Sequence, residues 1–173
     1  SQKRDRLPTF DELESLTKYF VRKWNHSSYS YPMHLIMWFA IFSCRREAEI
    51  TRMQLDDYDE TNKLWKIRDL KNPNGSKGNH KEFSVNDDCQ QMIDLLLDGD
   101  IRHRMLKRGY DENLLVPLSP KTMGSEFRKA CKLLGIDDLH FHDLRHEGCT
   151  RLAEKGMTIP QIQQVSLHDS WSS

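Results

Sequence analysis

Eight consecutive apolar residues, Leu35-Ile-Met-Trp-Phe-Ala-Ile-Phe42, run straight into Ser43-Cys44-Arg45-Arg46. That run is too short for a bilayer span, which needs about 20 such residues. Read as a helix over 33–42 it is apolar on most sides, so other elements must cover it on most sides. A chain of 173 residues has the material for that. At this size about two thirds of the unfolded surface is buried without help from disulfides or metal ions. A single domain over 1–173 is expected. Cys44, Cys89, Cys131 and Cys149 show no C-x-x-C spacing, which points to buried thiols in a reducing compartment rather than disulfides or a zinc knuckle. The chain does not open with the charged-then-apolar layout of a signal peptide, so a cytoplasmic setting is expected.

The covering elements can be read from local pattern. Thr9-x-x-Glu12 is a capping box, and Phe10, Leu13, Leu16, Phe20 and Trp24 follow at helical spacing. A third helix is expected over 45–54, with Ile50 and Met53 inward, ended by Leu55-Asp-Asp-Tyr-Asp59. Leu64-Trp-Lys-Ile-Arg-Asp-Leu70 alternates as a strand does, and Glu82-Phe-Ser-Val85 is a short returning strand. Between them Asn72-Pro-Asn-Gly75 supplies turn chemistry, in a connection that is long and basic. Helical patterns resume over 87–97 and 101–107. Ser119-Pro120 starts a helix that Gly135 stops, and further helices are expected over 143–154 and after Thr158. The predicted fold is mainly α with a small antiparallel β-sheet.

With 26 Lys and Arg against 26 Asp and Glu, the net charge is zero, which taken as a sum disfavours a nucleic-acid partner. Distribution matters more. Six Lys or Arg lie between Asn62 and Glu82, whereas 84–100 holds five Asp and no Lys or Arg. Such a chain is either two-faced, with one side able to meet phosphates, or simply solvated on both.

The densest polar cluster is His140-Phe-His142-Asp-Leu-Arg145-His146-Glu147. A zinc protease needs H-E-x-x-H, but His146-Glu147 is followed by Gly-Cys-Thr150, so no metal site is expected. Asn74-Gly-Ser-Lys-Gly78 lacks the spacing of a phosphate loop, and no G-x-S-x-G occurs. Cys149, near His146, falls on the apolar side of its helix and reads as a structural thiol. His142 and Arg145, three apart, share one face of a helix's first turn. Free N–H groups at such a terminus attract anions, and an imidazole beside a guanidinium suits a phosphodiester. The competing reading pairs Arg145 with Asp143 or Glu147.

Three boxes then bear on the choice. Ser43-Cys-Arg-Arg46-Glu-Ala-Glu49-Ile-Thr-Arg-Met53, continuing to Asp57, resembles the first box of the tyrosine recombinases, the phage integrase family, which reads T-G-x-R-x-x-E. Phe141-His142-Asp-Leu-Arg145-His146 is similar to the second, H-x-L-R-H, and Gln163-Gln-Val-Ser-Leu-His168-Asp-Ser to the later L-G-H-S-S. The expected hairpin lies where the family carries a catalytic lysine, with Lys71 at the end of its first strand and Lys77 in the turn. The sequence departs from the family at Ser43-Cys44 for Thr-Gly, Leu167 for Gly and Glu147 for Thr or Ser.

The resemblance implies a recombinase catalytic domain that cuts and rejoins DNA through a 3′-phosphotyrosine link, with neither metal nor cofactor. In it Arg46 and Arg145 would clamp the phosphate oxygens. Lys71, or alternatively Lys77, would protonate the departing 5′-oxygen. His142 would carry the tyrosine's proton, and His168 would donate to the phosphate. Lys77 and Lys81 would also contact neighbouring phosphates. The family's nucleophilic tyrosine follows the last histidine, and neither Tyr58 nor Tyr110 stands in that position. The tyrosine segment and the N-terminal DNA-clamping domain are therefore expected outside 1–173. These residues alone would be an inactive monomer, and the intact protein a tetramer on double-stranded DNA in a bacterial cytoplasm. The alternatives are a non-catalytic DNA-binding relative and a helical protein-interaction domain.

Overall fold

In a computed structural model, residues 6–108 and 111–168 are described. Helix α1, Phe10–Trp24, begins with the full Thr9–Glu12 capping box and buries Leu13, Leu16 and Phe20. Helix α2, Met33–Ser43, is the apolar run, and Met33, Ile36, Met37, Phe39 and Ala40 are fully buried. It lies at the centre, packed by α1 and by three later helices: α4 (Asp87–Leu96), α6 (Pro120–Leu134) and α7 (Asp143–Glu154). The demand that this segment be wrapped is thus met by helices from both halves of the chain.

The expected third helix is a correction. Only α3, Glu47–Ile50, is α-helical, and a 3-10 turn follows at Leu55–Asp57. Met53 and Leu55 instead bond to the strand-like segment near Leu114: Leu115 N–H donates to Met53 O at 3.0 Å and Leu55 N–H to Asn113 O at 2.7 Å. The sheet has three antiparallel strands in the order β1-β2-β3, namely Tyr58–Asp59, Leu64–Ile67 and Lys81–Ser84. The two-residue β1 was read from sequence as the end of a helix. Tyr58 stacks on the fully buried Trp65 with ring centroids 4.6 Å apart, which closes that edge of the sheet against the core.

Helix α4 starts on an Asn86 cap whose Oδ1 accepts from Cys89 N–H at 2.8 Å. The same Asn86 donates from Nδ2 to Phe42 O at 3.2 Å, fixing α4 to the end of α2. The acidic stretch is explained here. Asp87 and Asp88 occupy the first turn of α4, and Asp98 caps α5 (Gly99–Leu106), where carboxylates favour the helix dipole. Helix α8, Ile159–Ser166, opens on the Thr158–Gln161 capping box. No helix among the described residues is long and apolar enough to cross a membrane.

Candidate active site

Helix α7 approaches α2 so closely that a Cβ on Gly148 would meet Ile41 O at 2.0 Å. This approach brings Arg145, one turn earlier on α7, under the junction of α2 and α3. Its Nη1 donates to the carbonyl oxygen of Cys44 and, at 2.9 Å, to that of Ser166 at the end of α8. One guanidinium thus ties three segments that carry Arg46, His142 and His168. Arg145 is only 1% exposed, and its Nη2 finds no acceptor among the described residues. Neither Asp143 nor Glu147 claims it: Asp143 Oδ2 accepts from His140 N–H at 2.8 Å, and Glu147 pairs with Arg151. The competing reading, an ordinary intrahelical ion pair for Arg145, fails.

The residues singled out in the three boxes converge. Arg46 lies at the start of α3 with Nη1 2.7 Å from Glu49 Oε2. His142 stands at the N-terminus of α7, and His168 shares a 2.8 Å hydrogen bond through Nδ1 with Ser166 Oγ. Burial, then the positive charge of Arg145, Arg46 and Arg45, pushes His168 down to about 4. His142 keeps a side open to solvent, yet partial burial, His146, Arg145 and Arg46 also push it down to about 4, against the pull of Asp143. Both imidazoles are therefore neutral near pH 7 and able to accept a proton. Burial and the neighbouring Arg45 and Arg46 lower Arg145 to about 10, which leaves it charged.

Two details depart from expectation. The first-turn amides of α7 are not free for an anion, because Asp143, Leu144 and Arg145 N–H donate to His140, Phe141 and His142 carbonyls. Any grip on an anion comes from side chains. Secondly, β2 ends at Ile67, so Lys71 lies in the β2–β3 connection and not at the strand's end. That connection has a neck, where Leu70 N–H donates to Asn79 O at 2.8 Å and Asn79 Nδ2 returns a bond to Leu70 O at 3.0 Å. Lys71 and Lys77 both lie just past this neck, exposed and without an ion-pair partner among the described residues. Arg52, just after α3, donates to Arg68 O at 3.2 Å and so tethers the connection to the segment bearing Arg46. Lys81 opens β3 and lines a groove with Asp56, Asp57 and Asp59 as well as Lys66 and His80.

A profile described as "Phage integrase family" matches residues 8–173. The chain belongs to the phage integrase family. Its relatives include a shufflon-specific DNA recombinase of Escherichia coli, 26% identical over 98% of this chain and 39% of that protein. Another is a putative prophage phiRv2 integrase of Mycobacterium tuberculosis, 26% identical over 95% and 44%. The chain thus spans under half the length of these relatives. In fold it is similar to XerA recombinase, with a TM-score of 0.66 at 20% identity over 97% of this chain and 58% of the other. A lambda integrase dimer bound to a COC′ core site gives 0.69 at 18% identity, over 99% and 47%. These likenesses confirm the mainly α architecture with a small three-stranded antiparallel sheet.

The family's motif also explains two strained positions. Cys44 and Leu167 stand where its boxes have glycine, and both adopt a left-handed backbone, with φ of 56° and 62°. L-residues rarely take that conformation, so both positions carry backbone strain. Sequence reasoning missed two members of the site. His146 sets its ring against His142 with centroids 5.1 Å apart, its Nδ1 4.0 Å from Asp143 Oδ1. Arg45, adjacent to Arg46 and of the same type, is fully buried beneath it. Spacing alone could have flagged His146, one residue past Arg145. The spacing to Glu49 and Met53 favours Arg46 over Arg45 for the clamp, but it does not show where Arg45 packs.

Proposed function

We propose that this chain is the catalytic domain of a site-specific DNA recombinase, acting by phosphoryl transfer through a 3′-phosphotyrosine intermediate. The observation that carries the reading is the pinned Arg145 fork. One arm is fixed to the carbonyls of Cys44 and Ser166, and Nη2 of the other is buried without an acceptor, in a residue whose charge acts on His142 and His168. A buried donor without an acceptor costs about 1–3 kcal/mol. A phosphodiester oxygen placed there would remove that cost.

In this reading Arg46 and Arg145 hold the non-bridging oxygens, and their planar forks suit that task better than a lysine would. Neutral His142 takes the proton as a tyrosine oxygen attacks phosphorus. The bond to the 5′-oxygen breaks as Lys71 or Lys77 protonates it, and His168 donates to the phosphate. A 5′-hydroxyl from a partner strand reverses the step, so the covalent link stores the energy of the broken bond. The charge that builds in the transition state is met by fixed donors, which need no reorganisation. Lys77 and Lys81 add contacts to flanking phosphates and steepen the salt dependence. All five tyrosines precede His168 in this sequence, whereas the nucleophile in this reading is a tyrosine that follows it. The 173 residues alone are a monomer without cleavage activity, and the intact protein assembles as a tetramer on duplex DNA in the cytoplasm.

The test is a covalent adduct assay with a nicked duplex. Protein extended past Ser173 to include the tyrosine should form a denaturation-stable adduct, and the 173-residue chain should not. Salt-dependent DNA binding without any adduct from the extended protein would favour a non-catalytic relative instead.

A further inference from the structure

The motif T-G-x-R leaves the position before the clamping arginine unspecified, and here it holds Arg45, 1% exposed. Its Nη1 lies 3.2 Å from Glu49 Oε1, while Arg46 Nη1 lies 2.7 Å from Glu49 Oε2. Arg46 hydrogen-bonds both oxygens of this buried carboxylate, Oε2 through Nη1 and Oε1 through its backbone N–H at 3.3 Å, and Arg45 adds its charge against Oε1. Arg45 is held there by its Nε on Ser43 O at 3.1 Å, by Nη2 on Val165 O, and by the Phe83 ring, whose centroid lies 4.6 Å from Cζ. Burial alone would push the Glu49 carboxyl up. Arg45, Arg46 and Arg145 outweigh it and hold Glu49 ionised.

We infer that Arg45 is a positioning residue: its buried charge lies against Glu49 and offsets that carboxylate, so Arg46, itself hydrogen-bonded to Glu49, meets the scissile phosphate in a site that stays positive. Three guanidinium groups lean on Glu49, and together they leave a surplus of two positive charges. The other buried carboxylate, Asp143, faces His140 and His146. A surplus of two matches the charge on a phosphodiester as a tyrosine oxyanion adds to it. Without Arg45, the existing Glu49–Arg46 bridge would stand alone as a neutral pair in a low-dielectric site, where such pairing is strongest.

This inference rests on the proposed function, and its test is a charge-rescue cycle in protein that includes the tyrosine, on the nicked duplex. Arg45→Met should slow adduct formation about 10²-fold, the usual effect of losing a fixed donor. Adding Glu49→Gln removes the carboxylate's charge while keeping an acceptor for Arg46 N–H, and should return the rate to within about tenfold of wild type. A double variant as slow as Arg45→Met, or an Arg45→Met protein as fast as wild type, overturns the inference. If Arg45→Met does not fold, Arg45→Lys takes its place. Lysine keeps the charge but loses the fork, so a rate close to wild type is expected, and a collapse of the rate overturns the charge argument. If wild type itself forms no adduct, the proposed function fails. The inference is then read from binding of the same duplex, which Arg45→Met must weaken and Glu49→Gln restore.

Discussion

The arginine–histidine pocket and the β2–β3 connection are opposite solutions to placing a charged group. In the pocket, Arg45 and Arg145 are 1% exposed and bonded to carbonyls contributed by α2 and α8. In the connection, Lys71 and Lys77 lie in solvent beyond a neck made by the Leu70–Asn79 pair. Burial without relaxation gives donors that are fixed before the substrate arrives, which is what stabilising a transition state needs. A lysine on an exposed loop gives reach without fixed aim, which suits a group that must follow a departing oxygen. In the proposed reaction, rigidity serves the charge that is held and exposure serves the proton that travels.

Arg145→Ala attacks the rigid side directly. In protein carrying the tyrosine it should lower adduct formation by about 10³-fold, while filter binding shows only a modest loss of DNA affinity. Equal losses in both would make Arg145 a structural residue and erase the contrast. On the exposed side, Lys71→Ala and Lys77→Ala should differ: one slows cleavage about 10²-fold and the other barely does. A duplex with a 5′-sulfur leaving group, which needs no acid, should restore the slow variant, and both proteins should melt like wild type.

Gly148→Ala tests the close approach that sets the pocket. Its new Cβ would lie 2.0 Å from Ile41 O, so denaturant unfolding should show a loss of about 3 kcal/mol. By contrast, two glycines inserted after Gly75 should change stability by well under about 0.6 kcal/mol, the cost of doubling a flexible loop. Comparable losses from the two changes would mean that the connection is as tightly built as the pocket.

Acidification sharpens the same contrast with a smaller effect. His34, His142 and His168 are held at about 4 in the folded chain, against an ordinary 6.5. Above pH 6.5 they are neutral whether folded or not, and contribute nothing to the pH dependence. As pH falls from 6.5 towards 4 the unfolded chain takes up protons that the folded chain refuses, so stability is lost across that window. The melting temperature at pH 5 should lie a few degrees below that at pH 7. His34→Gln, remote from the pocket, should remove only part of the difference, leaving the share due to His142 and His168.

Much of this architecture was legible because its signals are local. Thr9 with Glu12, Ser119-Pro120 before Gly135, and Thr158 with Gln161 each mark a helix end within four residues or close to it, and the observed ends agree. The apolar run over 35–42 required a buried central helix, since a helix with no polar face has nowhere else to lie. The boxes around Arg46, His142, Arg145 and His168 named residues that the fold then gathers around one spot. What failed was what depends on partners far away. The segment 45–54 has helical spacing, but Met53 and Leu55 find strand-like partners near residue 114, and that pairing cuts the helix to one turn. The two-residue β1 carries no periodicity of its own.

Composition and spacing therefore determined which segments bury their faces and which side chains are chemically able to grip a phosphate. The tertiary structure alone decided that Arg45 is enclosed while its neighbour Arg46 stays at the edge of the site, and that Arg145 bonds to the carbonyl just past α2 and to one at the end of α8 rather than to its own helix. Local pattern fixes the direction in which a side chain leaves the backbone. Only long-range packing fixes what waits there, and a buried charge is tolerated only where that packing brings it a partner.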